Sequence, residues 1–522
     1  MKYYDLVVIG AGPAGLSAAI EGSRQGMRTI VFDENARPGG QLFKQIHKFF
    51  GSKEHQAKVR GIEIGKKLLK EAEEAGVCVK LNATVTGIFR NNVVGVFTDG
   101  EIQTVYANNI VVATGASERT LPFEGWTLPG VIGAGAAQTM MNLHGVKPGQ
   151  RILMVGSGNV GLVVSYQLLQ AGCEVVAVVD ASPKISGYGV HAAKIARMGV
   201  PFYLSHTIEK AVGDGCVEGV DVVEVDAKWN PVEGSQKHFD VDVICVAVGL
   251  NPMSQLVRMA GAEMKEAGGL VPVVDEYGET TIPGLFAAGD VAGIEEASSA
   301  MINGRIAGVA AAYRAGYIDT DKFQTVVDTC RHSLSELRQG MFAVSNRGKD
   351  IKTTEEGCRI SENLLKKGYL EEMELAQYPG VTHCHGVHPV IECTQNIPCN
   401  PCQDACKFGC ISIGDQITAL PIVNPEADCK NCGMCVASCS GQAIFLIDED
   451  YDETSGTVTM PYELLPYPEV GSAGDGLNRS GQKVCKAEVV SVKTSPAFDK
   501  TALLTIKVPK EYLDQVRFFA CE

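Results

Sequence analysis

Eight cysteines between positions 393 and 439 fall in two runs whose spacing suits metal–sulfur chemistry. Cys393-x5-Cys399-x2-Cys402-x3-Cys406 is followed by Cys429-x2-Cys432-x2-Cys435-x3-Cys439. Thiolates separated by two or three residues in a tight turn can face one inorganic centre. Zinc is the alternative, but two such runs supply more thiolates than a structural zinc site takes. Cys410 sits beside the first run and reads as a small packing residue. Half of the chain's 18 cysteines lie in this stretch. Met1 stands shortly before the first apolar strand, so no secretory or transit peptide is expected. A reducing cytoplasm, with metal ligation rather than disulfides, is therefore the expected setting.

The second chemistry is phosphate binding by glycine turns. Leu6-Val7-Val8-Ile9 reads as a buried parallel strand and runs into Gly10-Ala11-Gly12-Pro13-Ala14-Gly15, after which residues 16–25 have helical spacing. Gly10 serves the turn, Gly12 the close approach of a pyrophosphate, and Gly15 the packing of helix on strand. The helix N-terminus offers unpaired N–H groups to the phosphates. Thr29-Ile30-Val31-Phe32 is a second strand, and the following Asp33 can bind a ribose hydroxyl, with Glu34 as the neighbouring alternative. Pro38-Gly39-Gly40-Gln41 is a turn placed to pass close to a flavin ring.

The pattern occurs twice. Arg151-Ile152-Leu153-Met154-Val155 leads into Gly156-Ser157-Gly158-Asn159-Val160-Gly161, and the next strand ends at Asp180. An acid there, with no Arg directly after it, favours NAD(H) over its 2′-phosphate. A structural adenine nucleotide remains the other reading of this second site. Ile110-Val111-Val112-Ala113-Thr114-Gly115 reads as a strand leaving the first domain. Residues 281–290 read as a strand ending in Gly289-Asp290, before a helix from about Ala297 to Ala312. Asp290 is expected to accept from the ribityl chain of a flavin, or else to cap that helix.

These motifs must be positioned by an α/β chain of several domains. The expected divisions are 1–118 and 251–320 for a split first nucleotide domain, and 119–250 for the second. A helical connector follows at 321–385, a cysteine module at 386–450 and an extension at 451–522. A helix is expected over 55–75, an exposed loop over 471–481, and a helical C-terminal end. His383, Cys384, His385 and His388 match no metal spacing and read as a loop with polar contacts. A formal charge of −15 argues against a nucleic-acid surface. No apolar run is long enough for a membrane span.

In its order of motifs the stretch from Gly10 to about residue 315 resembles the thioredoxin-reductase-like two-dinucleotide flavoproteins, which implies FAD at the first loop and NAD(H) at the second. The Cys-x-x-Cys of the disulfide reductases is missing. Cys78, Cys173, Cys216 and Cys245 are well separated and read as small core residues. The two cysteine runs resemble the bacterial two-cluster ferredoxin, where the last cysteine of each run crosses to the other cluster. The resemblance assigns Cys393, Cys399, Cys402 and Cys439 to one [4Fe–4S] centre and Cys406, Cys429, Cys432 and Cys435 to the second. The sequence departs from that pattern in the five-residue gap after Cys393 and in having Lys407 and Ser440 where proline is usual.

Leu128-Pro129-Gly130-Val131 and Ile397-Pro398-Cys399-Asn400-Pro401-Cys402 add a closer likeness. They resemble the larger flavoprotein subunit of multi-subunit amine and imino-acid dehydrogenases, a group with dye-linked proline, hydroxyproline and opine dehydrogenases and hydrogen cyanide synthase. That resemblance implies a partner flavoprotein that oxidises the amine, with room for FMN at the partner interface and for a small iron–sulfur subunit. A free-standing NADH:acceptor oxidoreductase is the alternative. No His, Ser or paired-carboxylate set points to another chemical step, so no catalytic side chain is expected.

Overall fold

Runs of apolar residues become strands covered on both faces. The computed structural model describes residues 2–339 and 361–521, which fall into two units. In the first (residues 1–49, 54–119 and 249–354), β1 (Lys2–Ile9) pairs in parallel with β2 (Thr29–Phe32), Leu6 beside Thr29 and Ile9 beside Phe32. Leu6, Val7 and Val8 have no exposed surface, as a parallel strand under two layers requires. The sheet runs in the order 78–80, 29–32, 2–9, 101–112, 93–98 and 84–89, and strand Leu285–Ala287 joins the 101–112 strand. Helix α1 (Pro13–Arg24) packs under helix Ala297–Arg314. Two glycines make that approach possible: a Cβ on Gly304 would stand 2.1 Å from the Ala14 carbonyl oxygen, and one on Gly308 2.4 Å from that of Ala18.

Two expectations change in this unit. The helix expected over 55–75 begins only at Gly61, because Gln56 and Lys58 hold positive φ angles that a helix excludes. The connector expected from 321 is partly core, since helix Thr320–Leu337 buries Phe323, Val327, Cys330 and Leu334. Residues 340–360 of that connector lie outside the described residues.

The second unit holds residues 50–53, 120–248 and 355–522. Its five-stranded parallel sheet includes β3 (Arg151–Val155) and β4 (Glu174–Asp180), with helices α2 (Asn159–Gln170) and α3 (Gly189–Ala196). A second, antiparallel sheet runs in the order 387–391, 444–448, 455–462, 502–509, 483–493, 473–477 and 518–521. It crosses the expected boundary at 450 without a break, because Leu446, Ile447 and Asp448 pair with Thr459, Val458 and Thr457. The expected loop over 471–481 contains strand Ala473–Leu477, largely buried. Its glycines serve packing rather than freedom: a Cβ on Gly474 would lie 2.4 Å from the Ala520 carbonyl oxygen. The expected helical end is instead strand Phe518–Cys521. Among the described residues, no helix is long and apolar enough to cross a membrane.

Glu392 ties this unit together. Its carboxylate accepts from Arg479 Nε and Nη2 at 3.1 and 2.7 Å and from Arg517 Nε at 2.5 Å. Burial alone would raise its pKa, but Arg479 and Arg517 overcome that and hold it at about 2. The folded value lies below the unfolded one, so this stabilisation is complete above the ordinary carboxylate range and fades as pH falls toward 2. Glu392→Gln should cost about 3–5 kcal/mol, because it strands the buried Arg517 guanidinium and the half-buried Arg479 beside it. Urea unfolding at pH 7 and pH 3 checks this: the gap between wild type and variant should shrink at pH 3.

Candidate cofactor sites

Backbone packing dictates two of the three glycines in the first loop, and the third is left facing space. Gly10 sits at φ +104°, where a Cβ would stand 2.4 Å from the Ala113 carbonyl oxygen; one on Gly15 would stand 1.9 Å from that of Gly10. A Cβ on Gly12 would meet nothing within 4 Å. Pro13 opens α1, and no side chain caps its first amides. Open space beside uncapped helix amides is what a dinucleotide needs. The Ala11 amide donates to Asp33 Oδ2 at 2.6 Å, and Asn35 donates its backbone N–H to Oδ1 at 2.8 Å. Asp33 is thus the buried acid of this loop, while Glu34 is exposed.

The other predicted flavin residues converge on the same loop. The Gly39 amide donates to the Ala11 carbonyl at 2.7 Å, and a Cβ on Gly40 would lie 2.8 Å from Gly12 Cα. Gly40 and Gln41 open a short 3₁₀ turn, Gly40–Lys44. Its last residue, Lys44, escaped notice in the sequence; burial lowers its pKa against the opposing pull of Glu118. Gly289 packs on Ala14, where a Cβ would stand 2.8 Å from the Ala14 methyl. Asp290 Oδ1 accepts from the Glu295 amide at 3.2 Å, and Ala297 begins a helix without a side-chain cap. The Thr114 hydroxyl is used internally, donating to the Met253 carbonyl at 2.7 Å. Gly115 follows it at φ +73°.

The second loop repeats the first almost bond for bond. Gly156 has φ +107°, and a Cβ there would stand 2.3 Å from the Ala247 carbonyl oxygen; one on Gly161 would stand 2.0 Å from that of Gly156. The Ser157 amide donates to Asp180 Oδ2 at 2.6 Å, and the Ser182 amide to Oδ1 at 2.8 Å. Two features are peculiar to this copy. The Ser157 hydroxyl also donates to Asp180 Oδ2, at 2.6 Å. The chain before α3 lies along the loop: the Gly187 amide donates to the Ser157 carbonyl at 2.9 Å and the Tyr188 amide to Asn159 Oδ1 at 2.8 Å. Ser186 Oγ lies 3.8 Å from where a Gly158 Cβ would be. Val160 is exposed on the first turn of α2.

The cysteines gather in two cavities. Cys393, Cys399, Cys402 and Cys439 line one, together with Phe50, Val190 and Gly441. Cys406, Cys429, Cys432 and Cys435 line the other, with Cys410 and Phe408. Each set takes three cysteines from one run and the last of the other run. Short helices Pro401–Ala405 and Met434–Ser438 carry Cys402 and Cys435. Amides of Cys410 and Ala443 donate to the sulfurs of Cys406 and Cys439 at 3.3 and 3.4 Å. Burial pushes the thiols of Cys393, Cys399 and Cys435 up, and that of Cys402 to about 12, with the neighbouring cysteines adding to the rise. An all-sulfur donor set of this kind, half-buried or buried except for Cys432, would fit an iron–sulfur centre, whose positive core would hold the thiolates ionised.

The five-residue gap after Cys393 has a structural use. Gln395, buried within it, accepts from the Gly189 amide at 2.6 Å and so joins the first run to α3. Sequence reasoning also missed Gly51, which bridges to Cys399 from far along the chain and accepts from the Asn400 amide at 3.1 Å. His388 lies in a buried strand with its ring nitrogen 3.0 Å from the Gly386 carbonyl. His383 and His385 are exposed beside acids, as polar loop residues would be. Cys173 and Cys245 are buried as expected, but Cys78 and Cys216 are exposed, because both fall at the ends of short surface segments. Among the described residues, no three His, Cys, Asp or Glu side chains converge on a single metal ion.

Residues 4–316 match the model of the pyridine nucleotide-disulphide oxidoreductases. The opine oxidase of Agrobacterium tumefaciens (strain Ach5), in its A-type chain, is 31% identical over 355 residues, covering 63% of this chain and 69% of that protein. The HcnB component of hydrogen cyanide synthase from Pseudomonas aeruginosa is 29% identical over 321 residues, or 58% of this chain and 69% of the relative. The thioredoxin reductase of T. acidophilum superposes with a TM-score of 0.51 at 22% identity, over 60% of this chain and 99% of its own. That likeness shows a shared fold of dinucleotide-binding domains.

Proposed function

The chain belongs to the pyridine nucleotide-disulphide oxidoreductase family, and from that premise we propose that it is the electron-transfer subunit of an amine- or imino-acid-oxidising complex. It is a flavin-dependent oxidoreductase, homologous to subunits of multi-subunit oxidases. The reading rests on one combination: a family dinucleotide fold together with two four-cysteine cavities. In this reading FAD takes the Gly10–Gly15 loop, NAD(H) the Gly156–Gly161 loop, and a [4Fe–4S] cluster each cavity. Four thiols around one cavity suit a polynuclear centre. When bound, these groups supply hydride and single-electron chemistry. The chain's own residues hold them: helix N-termini face phosphate, Asp33 and Asp180 fix the loops, and the cysteines supply thiolates.

The partner is a second flavoprotein that oxidises the amine, with an interfacial FMN and a small iron–sulfur subunit as further members. The relatives named as subunits support this part. Anaerobic purification from the native host, with flavin, iron and sulfide analysis and identification of every copurifying chain, tests the whole. A second flavoprotein with about eight irons per chain is the expected result. A lone chain that reduces ferredoxin with NADH would replace it with the free-standing oxidoreductase, a reading that the complete second loop and Asp180 favour. No iron would overturn both.

The nucleotide preference is testable separately. Asp180→Arg removes the acceptor of the Ser157 amide and hydroxyl and places a cation at the strand end. NADH affinity should fall about tenfold, or ~1.4 kcal/mol, with NADPH relatively favoured, as read by fluorescence titration of both nucleotides. An unchanged preference would remove Asp180 from the assignment.

A further inference from the structure

Helix α3 carries two buried cations to the loop that holds Cys439. Lys194 is 2% exposed, and Arg197, just past the helix end, is 6% exposed. Lys194 Nζ stands 4.0 Å from the centre of the Tyr166 ring, whose hydroxyl donates to Gln442 Oε1 at 3.0 Å. Arg197 Nη2 donates to the Gln442 carbonyl at 3.1 Å. Gln442 itself sits at φ +54°, so the turn after Cys439 is gripped from both sides by the second dinucleotide domain. The start of α3 meets the same cavity: Val190 lines it, a Cβ on Gly441 would lie 2.8 Å from Val190 Cγ2, and the Gly189 amide is bonded to Gln395.

Arg197 Nε is buried without a hydrogen-bond partner. Arg197 lines one small cavity with Glu392, Arg479 and Arg517, and that carboxylate is engaged by Arg479 and Arg517. Buried charge in excess is costly unless something of opposite sign lies close. A cluster bound by four thiolates is net negative and gains a further negative charge on reduction, so nearby buried cations favour its reduced state. The turn after Cys439 links that cysteine to both side chains, to Arg197 through the Gln442 carbonyl and to Lys194 through the Tyr166 ring. The other cavity differs: Cys432 is exposed, and the adjacent Lys430 pairs with Asp428 at the surface.

We propose that Lys194 and Arg197 raise the reduction potential of the centre held by Cys393, Cys399, Cys402 and Cys439, so that the second dinucleotide domain tunes a cluster it does not ligate. This rests on the two-cluster reading above. The two residues are positioning residues, placed against the turn after Cys439 through Tyr166 and Gln442.

The test is an EPR-monitored redox titration, with iron analysis, of the full-length holoprotein purified anaerobically as wild type, Lys194→Met, Arg197→Met and Lys194→Arg. Each Met variant should make reduction of one centre about tenfold less favourable, a shift of about 59 mV downward for one electron. The other centre should hold its potential, and Lys194→Arg should match wild type. Met variants with full iron and both potentials unchanged would overturn the proposal and leave the two-cluster reading intact. A wild-type protein without iron would defeat that reading, and the proposal with it. Lys194→Gln, which keeps a polar end without charge, replaces a Met variant that loses iron, and the same outcomes decide.

Discussion

Cys432→Ala is expected to keep its flavin and lose about half its iron, from about eight atoms per chain to about four. Cys432 lines only the cavity shared with Cys406, Cys429 and Cys435, and it is exposed, so its loss removes a ligand without opening a core void. The flavin loop belongs to the other structural unit and should be untouched. Iron and flavin analysis of the anaerobically purified variant checks both halves. Cys439→Ala gives the contrast. Cys439 is a member of the other four-cysteine set, and its sulfur accepts from the Ala443 amide, so stability should fall along with the iron. Full iron content in Cys432→Ala would contradict the assignment of Cys432 as a ligand.

The second large effect separates packing glycines from ligand glycines. Gly12→Ala should fold with a melting temperature like that of wild type yet bind FAD about tenfold more weakly, because its methyl enters open space rather than protein. Gly15→Ala should behave in the opposite order. Its methyl would stand 1.9 Å from the Gly10 carbonyl oxygen, forcing α1 off β1 at a cost of about 1–3 kcal/mol, and flavin loss would follow from that instability. Flavin occupancy measured beside thermal melting of the flavin-free protein distinguishes the two. If Gly12→Ala retained flavin as tightly as wild type, the space above the loop would not be the pyrophosphate site.

Much of this was written in local chemistry. A turn that needs φ near +105° at Gly10 and Gly156 admits little but glycine, and an acid at the end of the next strand reaches back only to the loop beside it. Both fingerprints were therefore readable with their elements in order, each with its acid beside the loop. The cysteine spacing carried the same kind of information, because thiols two or three residues apart are held to one side of a short turn whatever surrounds them.

The tertiary structure alone decided what depends on distant partners. Residues 471–481 look like a loop because glycines are usually read as freedom, but Gly474 and Gly476 are small so that Phe519 and Val516 can pack on them. The C-terminal end is a strand because strand Ala473–Leu477 supplies its hydrogen-bonding edge. Nothing local in Lys194 or Arg197 distinguishes them from the solvated cations of any helix; Arg197 is buried where Gln442 and Phe445, some 245 residues onward, close over it, and Lys194 where its ammonium meets the Tyr166 ring of another helix. Backbone conformation and short-range ligand spacing are properties of neighbouring residues and can be read along the chain. Which charge ends beside which centre is set by burial against remote segments, and that belongs to the fold.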